Sequence, residues 1–260
     1  MDLVEIDRRG AVAHLTLNAP SSINALSDAM LAALKARLEE IAASDAKVVI
    51  LKGAGKAFCA GHDLKEMQLG RAGADQGRAY YADLFARCAE VMQMIPALPQ
   101  PVIAQVHGIA TAAGCQLVAS CDMAVAAQGT RFGVNGINIG LFCSTPMVAL
   151  TRNIPRKFAF EMLTTGGFIE ADRARELGLI NRIAAPENLA AETEALAETL
   201  AQKLTAAVKI GKRAFYDQLP LDLSAAYAHT AAVMVENMLW RDTDEGVQAF
   251  IEKRKPDWAE

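Results

Sequence analysis

The chain has 260 residues, 52% of them apolar and 22% charged, with 9 prolines. That composition excludes a disordered chain, a collagen-like repeat and a small disulfide scaffold, and the length suffices for one large domain that buries roughly three quarters of its unfolded surface. Lys plus Arg total 26 against 30 Asp plus Glu, a net charge of −4, so nothing draws the molecule as a whole to nucleic acid or anionic lipid, and any anion site must be local.

The start, Met1 to Arg9, is strongly charged and lacks the apolar stretch of a secretory signal, so no export is expected. Leu3–Arg8 and Val12–Leu17 read as strands joined by a turn at Arg9-Gly10. Asp28–Ala42 has helical spacing with Ser27 as its cap, and Val48–Leu51 is a short buried strand. Tyr80–Ile95 is an amphipathic helix stopped by Pro96, Pro99 and Pro101, and Val102–Val106 has the apolar, β-prone character of a central strand.

Pro101 to Cys121 carries no charged side chain and is long enough to span a bilayer, but Gln105, His107 and Gln116 interrupt it. Gly108 and Gly114 divide it into strand, turn and helix, which suits a protein core better than a membrane. Ala112–Ser120 follows as a helix and Met123–Ala126 as a strand. From Ser144 onward the pattern is helical, with Ile180–Ile183 as one last strand. This switch places a division near residue 190, with a mixed region at 1–190 and an all-helical one at 191–260. The five cysteines, Cys59, Cys88, Cys115, Cys121 and Cys143, lie mostly in apolar runs and read as reduced core residues of a cytoplasmic protein.

Two glycine-rich turns could carry chemistry. Gly53 to Glu66 joins a strand to a helix, but Phe58 stands where a dinucleotide fingerprint needs its third glycine. His107 to Gln116 is a second turn of the same kind. Together they could aim two backbone N–H groups at one oxygen, the device that stabilises charge developing on a carbonyl. Two ordinary strand-to-helix connections would read the same way.

Four separated segments resolve that choice: Ala57-Phe-Cys-Ala-Gly-His-Asp-Leu-Lys-Glu66, Pro101 through Leu117, Cys121-Asp122-Met-Ala, and Ala249-Phe-Ile-Glu-Lys-Arg-Lys255. In this order they resemble the enoyl-CoA hydratase/isomerase (crotonase) superfamily nearly end to end. The run Gly140-Leu-Phe-Cys-Ser-Thr-Pro146 and the tail Lys255-Pro-Asp-Trp258 are similar to its enoyl-CoA hydratase domain-containing protein three branch. The resemblance implies an α/β fold, a crotonase-like spiral of ββα units with a C-terminal α-helical trimerisation region, and a homotrimer or hexamer. It also implies a coenzyme A thioester as substrate or ligand, with no other cofactor; no metal is expected, since no metal-ligand spacing appears in the sequence.

By the same resemblance the amides of His62 and Ala113 donate to the thioester oxygen, Ala113 standing where the family usually has glycine. Ala60 lies where the adenine meets backbone, and Phe250 and Lys253 match the aromatic and lysine that contact the coenzyme, with Lys56 adding charge. The two glutamates that hydratases use as acid and base fall on Gln116 and Gly136, and neither residue exchanges a proton near neutral pH. Restoring glutamate at both positions would be expected to raise hydration.

The side chains nearby are read individually. Asp63 is expected as a helix-start partner, and His107 as a hydrogen-bonded core residue. The His62 ring could serve as acid or base. Cys143, the only titratable side chain from Gly133 to Pro146, reads as a small core residue because nothing charged beside it would lower its pKa. Three functions compete: an acyl-CoA enzyme working by enolate stabilisation, an acyl-CoA binding or regulatory protein without turnover, and RNA binding, for which no basic stripe is visible.

Overall fold

The computed structural model describes residues 2–259. β1 (Val4–Arg9) and β2 (Val12–Leu17) form an antiparallel hairpin. β3 (Val48–Gly53), β4 (Val102–Val106), β6 (Met123–Ala127) and β9 (Arg182–Ala184) extend it in parallel, giving the order β1-β2-β3-β4-β6-β9. Three further strands, β5 (Ile109–Thr111), β7 (Arg131–Gly133) and β8 (Phe168–Glu170), make a second, smaller sheet. The sequence reading missed all three, because three residues are too few to show a period. It also set the last strand two residues early.

α1 (Asp28–Ala42) has the expected bounds, and the Ser27 hydroxyl accepts from the Met30 amide as a cap. α3 (Arg78–Ala97) contains Pro96 rather than ending before it, so proline acts here only on the final turn. The uncharged run at 101–121 resolves into β4, β5 and α4 (Ala113–Ser120). Among the described residues no helix is long and apolar enough to cross a membrane. α2 (Leu64–Gly70), α5 (Pro146–Asn153), α6 (Arg156–Thr165) and α7 (Ala171–Leu177) complete the mixed region.

Alternation along β2 splits the interior in two. Ala13, Leu15 and Leu17 join the large core that includes α1, α3 and α4, whereas Val12 faces the other side of the sheet with Ile50, Ile103 and Val125. α8 (Leu189–Ala201) covers that second face through Leu189, Leu196 and Ala197. His14 is buried there, its Nε2 3.3 Å from a Glu194 carboxylate oxygen but outside hydrogen-bond geometry. Burial holds its pKa below the usual histidine value against the pull of Glu194. The folded ring is therefore neutral where the unfolded one, near 6.5, begins to charge. Its contribution is complete above the unfolded pKa and is lost as pH falls toward the lower folded value. Denaturant titrations at pH 7.5 and 5.5 should show this fall, and His14→Leu should make it smaller. An equal fall in the variant would exclude His14 as its source.

α9 (Thr205–Gln218) is tied to the core by one buried cation. Lys212 Nζ donates to the carbonyls of Ile95 (2.9 Å) and Gln100 (2.8 Å) and to Asp122 Oδ2 (2.7 Å). Asp122 also accepts from the Val102 amide and the Tyr216 hydroxyl. α10 (Leu223–Met238) and α11 (Arg241–Ile251) follow. No residue of α10 is buried, although Leu223, Tyr227, Met234 and Val235 all lie on it.

Candidate active site

The segment after β3 and the segment after β4 run side by side. Phe58 and Cys59 donate to the Ile109 carbonyl, Thr111 donates back to Cys59, and Cys59 and Ala110 form a parallel bridge. From the other side Ala60 donates to Ile23 and Leu26 donates to Gly61. Asn24, fully buried, organises this loop through its side chain: Nδ2 reaches the carbonyls of Ala54, Ala57 and Phe58 at 2.9–3.1 Å. The sequence reading missed Asn24. Its place in a Ser-Ser-Ile-Asn turn ahead of a capped helix was the available signal.

This pairing brings Gly61 against the start of α4. A methyl on Gly61 would stand 3.0 Å from the Thr111 carbonyl oxygen and 3.2 Å from the Ala113 nitrogen, and the residue has a φ of +87°. The amides of His62 and Ala113 therefore belong to adjacent stretches of backbone. Neither has an acceptor among the described residues. Two unsatisfied amides in neighbouring stretches can hold an oxygen that gains negative charge.

Ala112, directly before α4, takes φ 49° and ψ −119°, a conformation suited to glycine. It is held by its amide bond to Gly133 (2.9 Å) and by Gln116 donating to its carbonyl (3.0 Å). Ala112→Gly should release this strain and raise stability by roughly 1 kcal/mol. A lower melting temperature in the variant would contradict that account.

The remaining residues fall as follows. Among the described residues the Ala60 carbonyl accepts no bond and no ion pair involves Lys56, which is exposed. Asp63 caps α2 by accepting from the amides of Lys65 and Glu66, in accord with the sequence reading. His107 is partly buried and donates from Nε2 to the Gly55 carbonyl. His62 places Nδ1 3.3 Å from the Leu26 carbonyl, which fixes the proton on that nitrogen, and its ring packs edge-on to Phe85. Burial lowers its pKa, so the ring is neutral, with Nε2 buried and without a partner.

Gln116 lies one turn into α4, buried, and its Oε1 has no donor. Gly136 lies in a 3₁₀ turn (Asn135–Ile139) whose closure leaves no space for a side chain, since a Cβ would fall 2.4 Å from the Leu141 carbonyl oxygen. Restoring glutamate at Gly136 therefore requires this turn to open, which the sequence reading did not foresee. Gln116→Glu avoids that obstacle.

Phe250 is 84% exposed at the end of α11, and Lys253 follows with a φ of +56°. No hydrogen bond, ion pair or ring contact joins either to the two amides among the described residues. The tail beyond them folds back on α11, where Arg254 pairs with both carboxylate oxygens of Glu245 at 2.6 and 2.9 Å. All five cysteines are free and buried. Burial pushes Cys59 and Cys115 up to about 12 and Cys88 to about 11, so these thiols are unreactive core groups. No group of three or more His, Cys, Asp or Glu suited to a metal occurs among the described residues.

Fold and motifs together define a member of the enoyl-CoA hydratase/isomerase family, whose sequence model matches residues 7–260; the chain belongs to that family. It is 46% identical over 258 residues to mouse (Mus musculus) enoyl-CoA hydratase domain-containing protein 3, mitochondrial, covering 99% of this chain and 84% of that protein. The crystal structure of the human protein of that name superposes with a TM-score of 0.93 at 45% identity, over 98% of this chain and 100% of that one. An enoyl-CoA hydratase from Mycobacterium smegmatis gives 0.95 at 54% identity over 99% of both chains. The crotonase-like fold and the resemblance to the domain-containing protein three branch are thereby borne out.

Proposed function

We propose that the protein binds acyl-CoA thioesters and polarises the thioester carbonyl between the amides of His62 and Ala113, with weak hydratase activity or none. The observation that supports this most is the pair of unsatisfied amides set side by side by Gly61 and the start of α4. The expectation of weak hydration rests on Gln116 and Gly136 standing where the family has its two glutamates. General acid and base groups contribute about a hundredfold to ten-thousandfold each.

Mixing the protein with crotonyl-CoA and longer enoyl-CoA esters, and following both the conjugated absorbance and direct binding, tests this. Binding with little or no loss of absorbance is the expected result. Robust hydration, or absence of binding to every ester, sinks it. Gln116→Glu supplies one carboxylate on a helix that already exists and should raise hydration at least about tenfold over the parent.

We also read α10 as a surface that a second copy of the chain covers in a homotrimer or hexamer, because its apolar side chains find no cover within the chain. Light scattering during gel filtration decides this, and a monomer at micromolar concentration would refute it. The free, buried cysteines suit a reducing compartment. We favour the cytoplasm, while the vertebrate relatives carry the word mitochondrial in their names.

A further inference from the structure

The loop that follows β7 packs on the first turn of α4. Ala112 donates to the Gly133 carbonyl and the Thr111 hydroxyl donates to Asn135 Oδ1 at 2.6 Å. In that loop the Cys143 sulfur lies 2.9 Å from where a Cβ on Gly136 would be. The thiol thus stands against the face of Gly136 from which the family's second carboxylate would project.

A second observation points to a ligand at the same end of α4. Gln116 is only 5% exposed and its Oε1 has no donor. Side chains on a helix lean toward its N-terminus. The carboxamide therefore leans toward the first turn, where the Ala113 amide opens and the loop bearing Cys143 is packed. A buried acceptor of this kind calls for a partner that the described residues do not supply.

We propose that Cys143 is the group that exchanges a proton with the α-carbon of a bound acyl-CoA, in place of the missing carboxylates. This rests on the acyl-CoA reading above. In one direction the thiolate sulfur takes a proton from Cα, and the C–H electron pair stays on the acyl group as an enolate whose oxygen is held by the two amides. In the other, the S–H returns a proton to Cα, the C–H bond forms again and the carbonyl is restored. Solvent replaces the sulfur-bound hydrogen between the two steps, so no oxidant or second reactant is needed. Burial raises the Cys143 pKa, with the Gly136 amide opposing, so the resting form is the thiol, which delivers the proton directly; abstraction from Cα starts from the fraction of the thiol that has first lost its proton to solvent.

The test uses butyryl-CoA in deuterium oxide, with deuterium at Cα followed by NMR and binding measured in parallel by calorimetry. The parent should incorporate deuterium faster than buffer alone. Cys143→Ala and Cys143→Ser should both slow incorporation by about a hundredfold or more while binding stays within about twofold. The serine variant keeps nearly the same volume, so a folding defect in the alanine variant does not blur the result. Exchange unchanged in the serine variant, or butyryl-CoA bound by the parent without exchange, overturns the role of Cys143 and leaves the binding reading standing. Failure to bind butyryl-CoA overturns both.

Discussion

Lys212→Met is expected to lower unfolding free energy by about 3–5 kcal/mol, the loss that follows when one member of a buried ion pair is removed and the other stays. Lys212 and Asp122 have side chains only 6% and 13% exposed, and three acceptors surround the ammonium. Methionine fills a similar space but leaves the Asp122 carboxylate and two carbonyls without their donor. Adding Asp122→Asn to the variant should restore part of the loss, because the stranded charge is then gone. Tyr216→Phe, which removes only the 2.8 Å bond to Asp122, should cost about 1 kcal/mol. A Lys212→Met effect below about 1 kcal/mol in urea titrations would show that this network does not hold α9 to the core.

Gly61→Ala should have the largest effect on ligand binding. The methyl meets the Ala112 Cβ and the Thr111 oxygen at 3.0 Å and the Ala113 nitrogen at 3.2 Å, in a conformation with a φ of +87° that alanine resists. Accommodating it pushes the two stretches of backbone apart, and with them the two amides. Stability should fall by about 1–3 kcal/mol and acyl-CoA affinity by about tenfold or more. Gly10→Ala is the matched control. It also has a positive φ, +59°, yet nothing lies within 4 Å of its added methyl. It should lose stability and keep affinity. Equal affinity for Gly61→Ala and the parent would mean that the thioester does not sit between these stretches.

Much of the scaffold was legible from the residues because its long elements have strong periods. α1 emerged with its cap, and β2 and β4 with their bounds, since continuous or alternating apolar runs of five or more residues leave few alternatives. β5, β7 and β8 were not legible. Their geometry is set by the neighbours they pair with, and three residues carry no pattern of their own.

The same distinction divides the candidate site. The two glycine-rich turns were visible in the sequence, and so was the absence of carboxylates between Gly133 and Pro146. What holds the turns in place was not, because Asn24 acts from more than thirty positions away in the chain and its amide has no sequence mark beyond a turn. The crowding of Gly136 by Leu141 was equally hidden, since it depends on how a 3₁₀ turn closes. The sequence carries no mark of the Asp122 carboxylate and two carbonyls that surround Lys212.

The amides of His62 and Ala113 are donors that no side-chain substitution other than proline deletes. Gln116 reaches them by an ordinary helical bond to Ala112, and the loop that holds Gly136 reaches them by the Ala112 amide donating to Gly133. Both links run through main chain alone. If these amides hold the thioester oxygen as proposed, a lineage built on this scaffold is free to exchange its acids and bases one at a time while that hold persists, so that reaction type and ligand recognition can evolve independently.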